Sequence, residues 1–200
     1  MERKYEFTGE KKKYCGAILH RIRAVRDFGN VKKGDLGGFI ESEDNLSHDG
    51  MAWVYDNARI CDNARIYDNV KVYDNAIIFG NAHIYGDVQI YDNAWICDNA
   101  CICDDAQIYN NAQIYNNAQI YDNAQIYGNA RIYDNVQIYD NVRIYDNACI
   151  CNNVQIFDNA CICDNACIFD NAQIYDNAKV YGNAKVYGIK KAKSQKSEVD

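Results

Sequence analysis

The sequence predicts an all-β fold in which the chain winds as a solenoid of short parallel strands. A six-residue unit, Tyr-Asp-Asn-Ala-x-Ile, repeats without insertion between Ala52 and Gly188. Every sixth residue from Val54 to Val186 is Ile or Val, and the residue two places before each of them is Ala or Val. The chain has no proline and 17 tyrosines, a composition that favours strands. Such strict periodicity indicates one small unit stacked on copies of itself.

Three segments follow from the limits of the repeat. Residues 1–51 do not repeat, and they contain strand-like runs of apolar and basic residues that end at the turn signal Gly29-Asn30. We interpret 1–51 as a small β-structured cap, because the first coil of a solenoid otherwise exposes free strand edges. Residues 52–188 are the repeats, and the polar residues 189–200 are predicted to form a flexible tail.

The six-residue unit predicts one side of a triangular coil. Side chains alternate along a strand, so Ala and Ile face the interior while the x residue and Tyr face outward. The Asp-Asn pair supplies the bend, and Asn is expected to adopt the left-handed backbone conformation there. Three sides then close a coil of about 18 residues, and successive coils are spaced by ~4.8 Å, the distance between paired strands.

Composition and charge limit the classes of function. Residues 52–188 contain 17 Asp against 7 Lys and Arg, a net charge of −10, which argues against a nucleic-acid partner. No apolar run is long enough to span a membrane, so no membrane insertion is expected. The chain opens on polar residues rather than an apolar signal segment. We therefore expect a cytoplasmic protein whose ten cysteines are reduced.

The repeat resembles the hexapeptide repeat of left-handed β-helix proteins, in which a small residue follows four places after an aliphatic one. Within that superfamily, residues 19–28, Gly37-Gly38-Phe39-Ile40 and Ala52-Trp53-Val54-Tyr55 are similar to the cap of a bacterial branch called YdcK-like. The resemblance implies a left-handed coil, and it implies an acyltransferase activity that is ascribed to the branch on the strength of its fold. Tyr stands here where that superfamily usually has Gly or an acid.

With three six-residue units per coil, the outward residues form columns on three faces. Face one carries the column from Tyr55 to Tyr181, face two the column from Cys61 to Tyr187, and face three the column from Tyr67 to Tyr175. Face two is the most apolar, and contiguous apolar surface usually marks an interface. We therefore predict a homodimer that forms through face two. The alternative, that aromatic columns only shield the sheet, stays open. The predicted interface residues are Ile77, Phe79, Trp95, Cys97, Tyr115, Tyr133 and Phe169.

Candidate chemistry in the repeats is sparse. Hexapeptide-repeat acyltransferases typically use a histidine base, and His83 is the weak candidate for that role here, although it occupies a variable outward position. Cys149, Cys151 and Cys167 share face two, but four convergent ligands are missing, so incidental substitution is favoured over zinc.

One acidic column is a weak candidate for metal binding. Carboxylates ~4.8 Å apart repel by about 0.9 kcal/mol even in water, and divalent cations would relieve that repulsion. The alternative is that salt screening suffices at an exposed corner. The column consists of Asp104, Asp122, Asp140, Asp158 and Asp176.

The function predicted from these patterns is that of a non-catalytic β-solenoid scaffold or binding rod, which acts through its Tyr/Gln-rich faces and self-association. The alternative is an acyl-CoA-dependent acyltransferase, which rests on the resemblance. No cofactor is predicted.

Overall fold

The computed structural model describes residues 2–188, 191–192 and 195–196. It confirms an all-β parallel solenoid of about eight turns, with three sheets and a small antiparallel segment at the N-terminus. No helix among the described residues is long and apolar enough to cross a membrane. The left-handed sense of the coil stays a prediction.

Strands β4–β28 contain two or three residues each and fall into three sheets, one for each face of the rod. The sheet of face one contains β4 (Trp53–Val54), β7 (Lys71–Val72), β10 (Gln89–Ile90), β13 (Gln107–Ile108), β16 (Gln125–Ile126), β19 (Arg143–Ile144), β22 (Cys161–Ile162), β25 (Lys179–Tyr181) and β28 (Gln195–Lys196). That of face two contains β5 (Arg59–Ile60), β8 (Ile77–Ile78), β11 (Trp95–Ile96), β14 (Gln113–Ile114), β17 (Arg131–Tyr133), β20 (Cys149–Cys151), β23 (Cys167–Phe169) and β26 (Lys185–Tyr187). That of face three contains β6 (Arg65–Ile66), β9 (His83–Ile84), β12 (Cys101–Ile102), β15 (Gln119–Ile120), β18 (Gln137–Ile138), β21 (Gln155–Ile156), β24 (Gln173–Ile174) and β27 (Lys191–Ala192).

Residues three units apart pair in register throughout the repeats. Gln89 lies beside Gln107, and Gln107 lies beside Gln125, all in parallel strands. The amide of Gln107 donates to the carbonyl of Ala124 at 2.9 Å, so each coil is bonded to the next. The predicted circuit of three units per coil is therefore confirmed.

The interior is a continuous column of aliphatic side chains. The Ile and Val residues from Val54 to Val186 are at most 1% exposed, and the small residues two places before them are buried as well. A single six-residue unit buries too little surface to stay ordered alone, because fixing the backbone of its six residues costs at least ~6 kcal/mol. Stacking of one coil on the next supplies the missing contacts.

The corners differ from the prediction in one respect. The left-handed conformation falls on the first residue of the Asp-Asn pair, with φ between 50 and 63° wherever that residue is Asp or Asn. Asn in the second position has a positive φ only at Asn135, Asn153 and Asn171. The expectation that the second residue takes this conformation is thus wrong for most corners. The first position instead holds a side chain that accepts a hydrogen bond from the backbone amide of the next coil, as Asp122 does from Asp140 at 3.2 Å.

The second corner position forms an amide ladder. Its Asn side chains donate along the rod from one coil to the next, as Asn99 does to Asn117 at 3.1 Å and Asn117 does to Asn135 at 3.0 Å. These bonds satisfy polar groups at corners where the chain makes no strand pairing.

The N-terminal cap begins with β1 (Tyr5–Tyr14) and β2 (Ala17–Ala24), an antiparallel hairpin. Next, β3 (Leu36–Ile40) pairs antiparallel with β2 and parallel with β5, and the 3₁₀ turn Glu43–Asn45 follows. The solenoid pairing therefore starts before residue 52, with Phe39 beside Arg59 at a longer offset than the repeats have. Tyr5 lies over the first coil, and its hydroxyl donates to the carbonyl of Leu46 at 2.8 Å.

At the other end, β27 and β28 pair in parallel with β24 and β25. These two strands fall within the segment that the sequence predicts to be a flexible tail. The remainder of that prediction, for 189–190, 193–194 and 197–200, lies outside the described residues.

Candidate functional site

Face one carries a tyrosine ladder in two runs. In the first, the ring centroids of Tyr55 and Tyr73 are 4.4 Å apart and those of Tyr73 and Tyr91 are 4.8 Å apart, with nearly parallel planes. A second run joins Tyr109, Tyr127 and Tyr145 at 4.7 and 4.9 Å. Among the ring contacts of residues 2–188, none joins Tyr91 to Tyr109. The ladder is therefore interrupted between two adjacent coils.

A shallow depression of about 310 Å³ lies at this interruption, lined by Asp74, Tyr91, Asp92, Gln107 and Tyr109. The Tyr91 hydroxyl is hydrogen-bonded to Gln89. The depression therefore has two carboxylates and two aromatic rings in its lining.

Each carboxylate at the depression uses one oxygen to hold the backbone of the next coil. Oδ2 of Asp74 accepts from the amide of Asp92 at 3.2 Å, and Oδ2 of Asp92 accepts from the amide of Asn110 at 2.9 Å. Oδ1 of both residues has no hydrogen-bond partner in the described part of the chain. Anionic oxygens next to aromatic ring faces form an environment suited to a cation.

A second cavity, of about 210 Å³, lies where the cap meets face one. Lys71 lines it and forms no ion pair with the described residues. Asp87, which replaces the usual Asn of the corner ladder, accepts from the side-chain amide of Asn69 at 2.9 Å. The remaining lining residues are Gly29, Asn30, Val31, Met51, Tyr55 and Gln89.

His83 is exposed, and its ring centroid lies 6.4 Å from that of Tyr67 at a tilt of 44°. No carboxylate of residues 2–188 lies within ion-pair distance of it. The predicted base role of His83 stays a prediction, and it rests on position alone.

The cap histidines are committed to internal contacts. His48 accepts from the Lys4 amide through Nδ1 at 3.2 Å, stacks on Tyr5 at 4.3 Å, and places Nε2 3.9 Å from Glu43. Burial lowers the pKa of His48, so the neutral ring is favoured. His20 stacks on a phenylalanine ring at 4.7 Å. These contacts account for His20 and His48 by structural roles in the cap, without assigning them a part in a reaction.

The acidic column is in register, as predicted. Oδ2 of Asp104 accepts from the amide of Asp122 at 3.4 Å, and Oδ2 of Asp158 accepts from the amide of Asp176 at 2.9 Å. Asp140 makes the same contact with the next coil. Backbone donors thus offset part of the repulsion between the carboxylates. Among the described residues, the clusters of three metal-binding atoms lie at Cys61 and Cys163 rather than in this column, and the ion hypothesis stays a prediction.

Face two is partly covered by the chain itself. Phe79 is half-buried and packs against a cluster of Leu19, Phe39 and Cys61. Cys97 is only 8% exposed. Phe79 and Cys97 also line an open depression on face two together with Trp95, and their place in an interface stays a prediction.

The other predicted interface residues remain accessible. Trp95 is 39% exposed, and Ile77 and Phe169 are half-buried. Tyr115 and Tyr133 stack on each other at 5.0 Å. Self-association through this surface stays a prediction.

Cys149 and Cys167 are register partners one coil apart, as the column analysis expects. The Cys149 thiol lies 3.6 Å from the Tyr133 hydroxyl. Cys151 lies on the same strand as Cys149. No cluster of three metal-binding groups in the described residues contains any of these cysteines.

Sequence reasoning missed both depressions on face one. The interruption at Tyr91 and Tyr109 depends on side-chain conformations that an identical repeat does not reveal. The cavity beside the cap had a visible signal, since Gly86-Asp87-Val88 departs from the Asp-Asn-Ala consensus. That departure places a carboxylate in the same cavity as Lys71.

Comparison with known proteins identifies the repeat. Residues 58–72, 124–137, 136–152 and 172–188 match the family described as "YdcK Beta solenoid repeat". A stretch of 56 residues is 38% identical to a protein of Escherichia coli strain K12 named "Uncharacterized acetyltransferase YdcK". That match spans 28% of this chain and 16% of the relative, far less than its full length. These four segments of the chain are therefore similar to β-solenoid repeats of the YdcK type.

Proposed function

We propose that this chain is a binding rod that holds a cationic partner, such as an arginine-rich protein segment, on face one. The observation that supports it is the depression at the ladder interruption, where Asp74 and Asp92 flank the rings of Tyr91 and Tyr109. A guanidinium fits this chemistry, because it stacks on tyrosine faces and donates to carboxylate oxygens.

The strength of binding depends on repetition along the rod. One exposed cation–π contact contributes only about 0.5–1 kcal/mol. Face one repeats the Tyr-Asp pair in its first coils, at Tyr55-Asp56, Tyr73-Asp74 and Tyr91-Asp92. A partner with several cations would engage these pairs together, and the gain in affinity would come from effective concentration. The net charge of −10 on the repeats supports attraction over distance at low salt.

The test is a titration of the full chain with a synthetic arginine-rich peptide, followed by tyrosine fluorescence and calorimetry at two salt concentrations. Asp92→Asn should weaken binding roughly fivefold, the equivalent of about 1 kcal/mol. Asp158→Asn is the matched control, because it removes the same charge from the corner after face three. Equal loss in both variants would show attraction to net charge alone and would refute a site on face one.

A second candidate is an acyl-CoA-dependent acyltransferase, and the comparisons favour it, since the E. coli relative is named an acetyltransferase. The cavity beside the cap supports it as well. Its unpaired Lys71 and the side-chain amides of Asn30, Asn69 and Gln89 suit the phosphates and amides of coenzyme A. The geometry supports it less, because no described histidine is paired with a carboxylate in an open cleft.

Acetyl-CoA binding separates the two candidates. The transferase is supported by two results together. Acetyl-CoA raises the melting temperature, and Lys71→Met abolishes that rise. The chain also transfers the acetyl group to an amine, and His83→Ala abolishes that transfer. A melting temperature that acetyl-CoA leaves unchanged removes this candidate. The arginine-peptide titration decides the first candidate independently.

A further inference from the structure

Three repeats carry two outward thiols on one strand, with a buried isoleucine between them. In each, the tyrosine one coil earlier places its hydroxyl against the thiols. At the third, the Cys161 thiol donates to the Tyr145 hydroxyl at 3.6 Å, and Cys163 is hydrogen-bonded to the same hydroxyl. The three pairs are Cys101 and Cys103, Cys149 and Cys151, and Cys161 and Cys163.

The three pairs differ in the acids at the adjoining corner. Cys163 is followed by Asp164, and Asp146 occupies the same corner one coil earlier. The sulfur of Cys163 and one carboxylate oxygen from each aspartate all lie within 4.8 Å of one another. The corresponding corner beside Cys103 has Gly86 in place of one acid, and the corner beside Cys151 has Asn152.

We propose that Asp146, Cys163 and Asp164 form a binding site for a divalent zinc ion, with the Cys161 thiol as the fourth ligand. Zinc accepts this mixture of thiolate and carboxylate ligands in tetrahedral geometry, at about 2.3 Å to sulfur and about 2.0–2.2 Å to oxygen. The donor atoms of Asp146, Cys163 and Asp164 already lie within 4.8 Å of one another and need to move inward by roughly 1 Å to reach those metal–ligand distances. The Cys161 thiol lies outside that cluster and has to turn toward the ion from the Tyr145 hydroxyl. The site is half-exposed at a corner, so an ion can enter from solvent.

Backbone contacts hold the carboxylates in place. Oδ2 of Asp164 accepts from the amide of Gly182 at 2.8 Å, and Oδ2 of Asp146 accepts from the amide of Asp164 at 3.4 Å. Such outer contacts orient metal ligands and favour binding.

Binding exchanges protons for metal. Zinc forms bonds to the two sulfurs and the two carboxylate oxygens, while the thiol protons of Cys161 and Cys163 pass to solvent. The cation also offsets the repulsion between the neighbouring carboxylates and thiolates.

The other cluster of this kind lacks these properties. Cys61 is 3% exposed and packs against Leu19 and Phe39. An ion has no open approach to that sulfur.

The test is equilibrium dialysis of the full reduced chain against micromolar Zn²⁺, with Cd²⁺ as an optical probe of thiolate coordination in the ultraviolet. The expected result is one equivalent of metal per chain, with thiolate-to-cadmium absorption and release of protons. Cys163→Ser and Asp146→Asn should each weaken binding at least tenfold. The matched controls Cys103→Ser and Cys151→Ser should leave the stoichiometry and affinity unchanged.

Two results would overturn the proposal. One is the absence of stoichiometric binding in the wild-type chain. The other is equal loss in Cys163→Ser and in the control variants, which would indicate scattered binding to exposed thiols. Circular dichroism of each variant establishes that its fold is intact, and Asp146→Asn provides a second decision should Cys163→Ser fail to fold.

Discussion

Truncation of one interior isoleucine should destabilise the whole rod. Ile120 is fully buried, and it lies in register between Ile102 in the coil before and Ile138 in the coil after. Ile120→Ala removes three carbons, which costs about 2.4 kcal/mol of transfer free energy at ~0.8 kcal/mol each. The cavity left between two rigid coils raises the expected total to about 3–4 kcal/mol.

The assay is urea unfolding followed by far-ultraviolet circular dichroism, with the denaturant slope compared between variants. A loss of this size should also lower the melting temperature by roughly 6–15 °C in a chain of this length. Gln113→Ala is the control, because Gln113 is exposed on the preceding side of the same coil, and it should change the free energy of unfolding by less than about 0.5 kcal/mol. A loss below about 1 kcal/mol for Ile120→Ala would refute a tightly stacked interior.

Further predictions concern the corners and the thiols. Asn117→Ala interrupts the amide ladder at two bonds and should cost about 1–3 kcal/mol, measured by thermal melting; an unchanged melt would contradict the ladder's role. Asp122→Val forces a β-branched residue to φ 56° and should destabilise by about 1–3 kcal/mol, whereas Asp122→Gly should cost less. Burial raises the pKa of Cys61, Cys97 and Cys103 from 9.0 to about 12, so the unfolded chain loses these protons first. Their contribution to stability is complete below pH 9 and falls as the pH rises toward 12. Urea titrations at pH 8 and 10.5 should show a smaller decline in Cys61→Ala, and an identical decline would exclude this cause.

Much of the fold is readable from the repeat because one six-residue unit fixes three things together. The aliphatic position defines the interior, the period of six with three sides defines the register between coils, and the Asp-Asn pair defines the corner. The repeat does not decide which of the two corner residues has the positive φ. Both residues tolerate a positive φ, and the choice of the first one depends on a hydrogen bond to the next coil, such as that from the amide of Asp140 to Asp122.

The cap follows no repeat, and its contacts are non-local. Phe39 pairs with Arg59 at a longer offset than the pairs within the repeats, so the period of the repeat does not predict that the first coil begins there. The packing of Phe79 against Leu19 likewise joins residues that no local pattern relates.

The candidate sites depend on departures from uniformity. Asp164 follows Cys163 directly and Asp146 stands 18 residues before Asp164, so that cluster could have been found from the register alone. The interruption of the tyrosine ladder could not, because Tyr91 and Tyr109 are the same residue type in equivalent positions, and only their side-chain conformations differ.

The circuit of three units per coil underlies every column, and paired nitroxide labels test it most directly. A ketone-bearing unnatural amino acid carries each label, so that the ten native cysteines stay untouched. Labels at positions 107 and 125 should show strong dipolar broadening, because these residues are neighbours in adjacent strands about 4.8 Å apart. Labels at 107 and 119, which belong to different sheets, should broaden far less. Stronger broadening for the second pair would contradict the circuit.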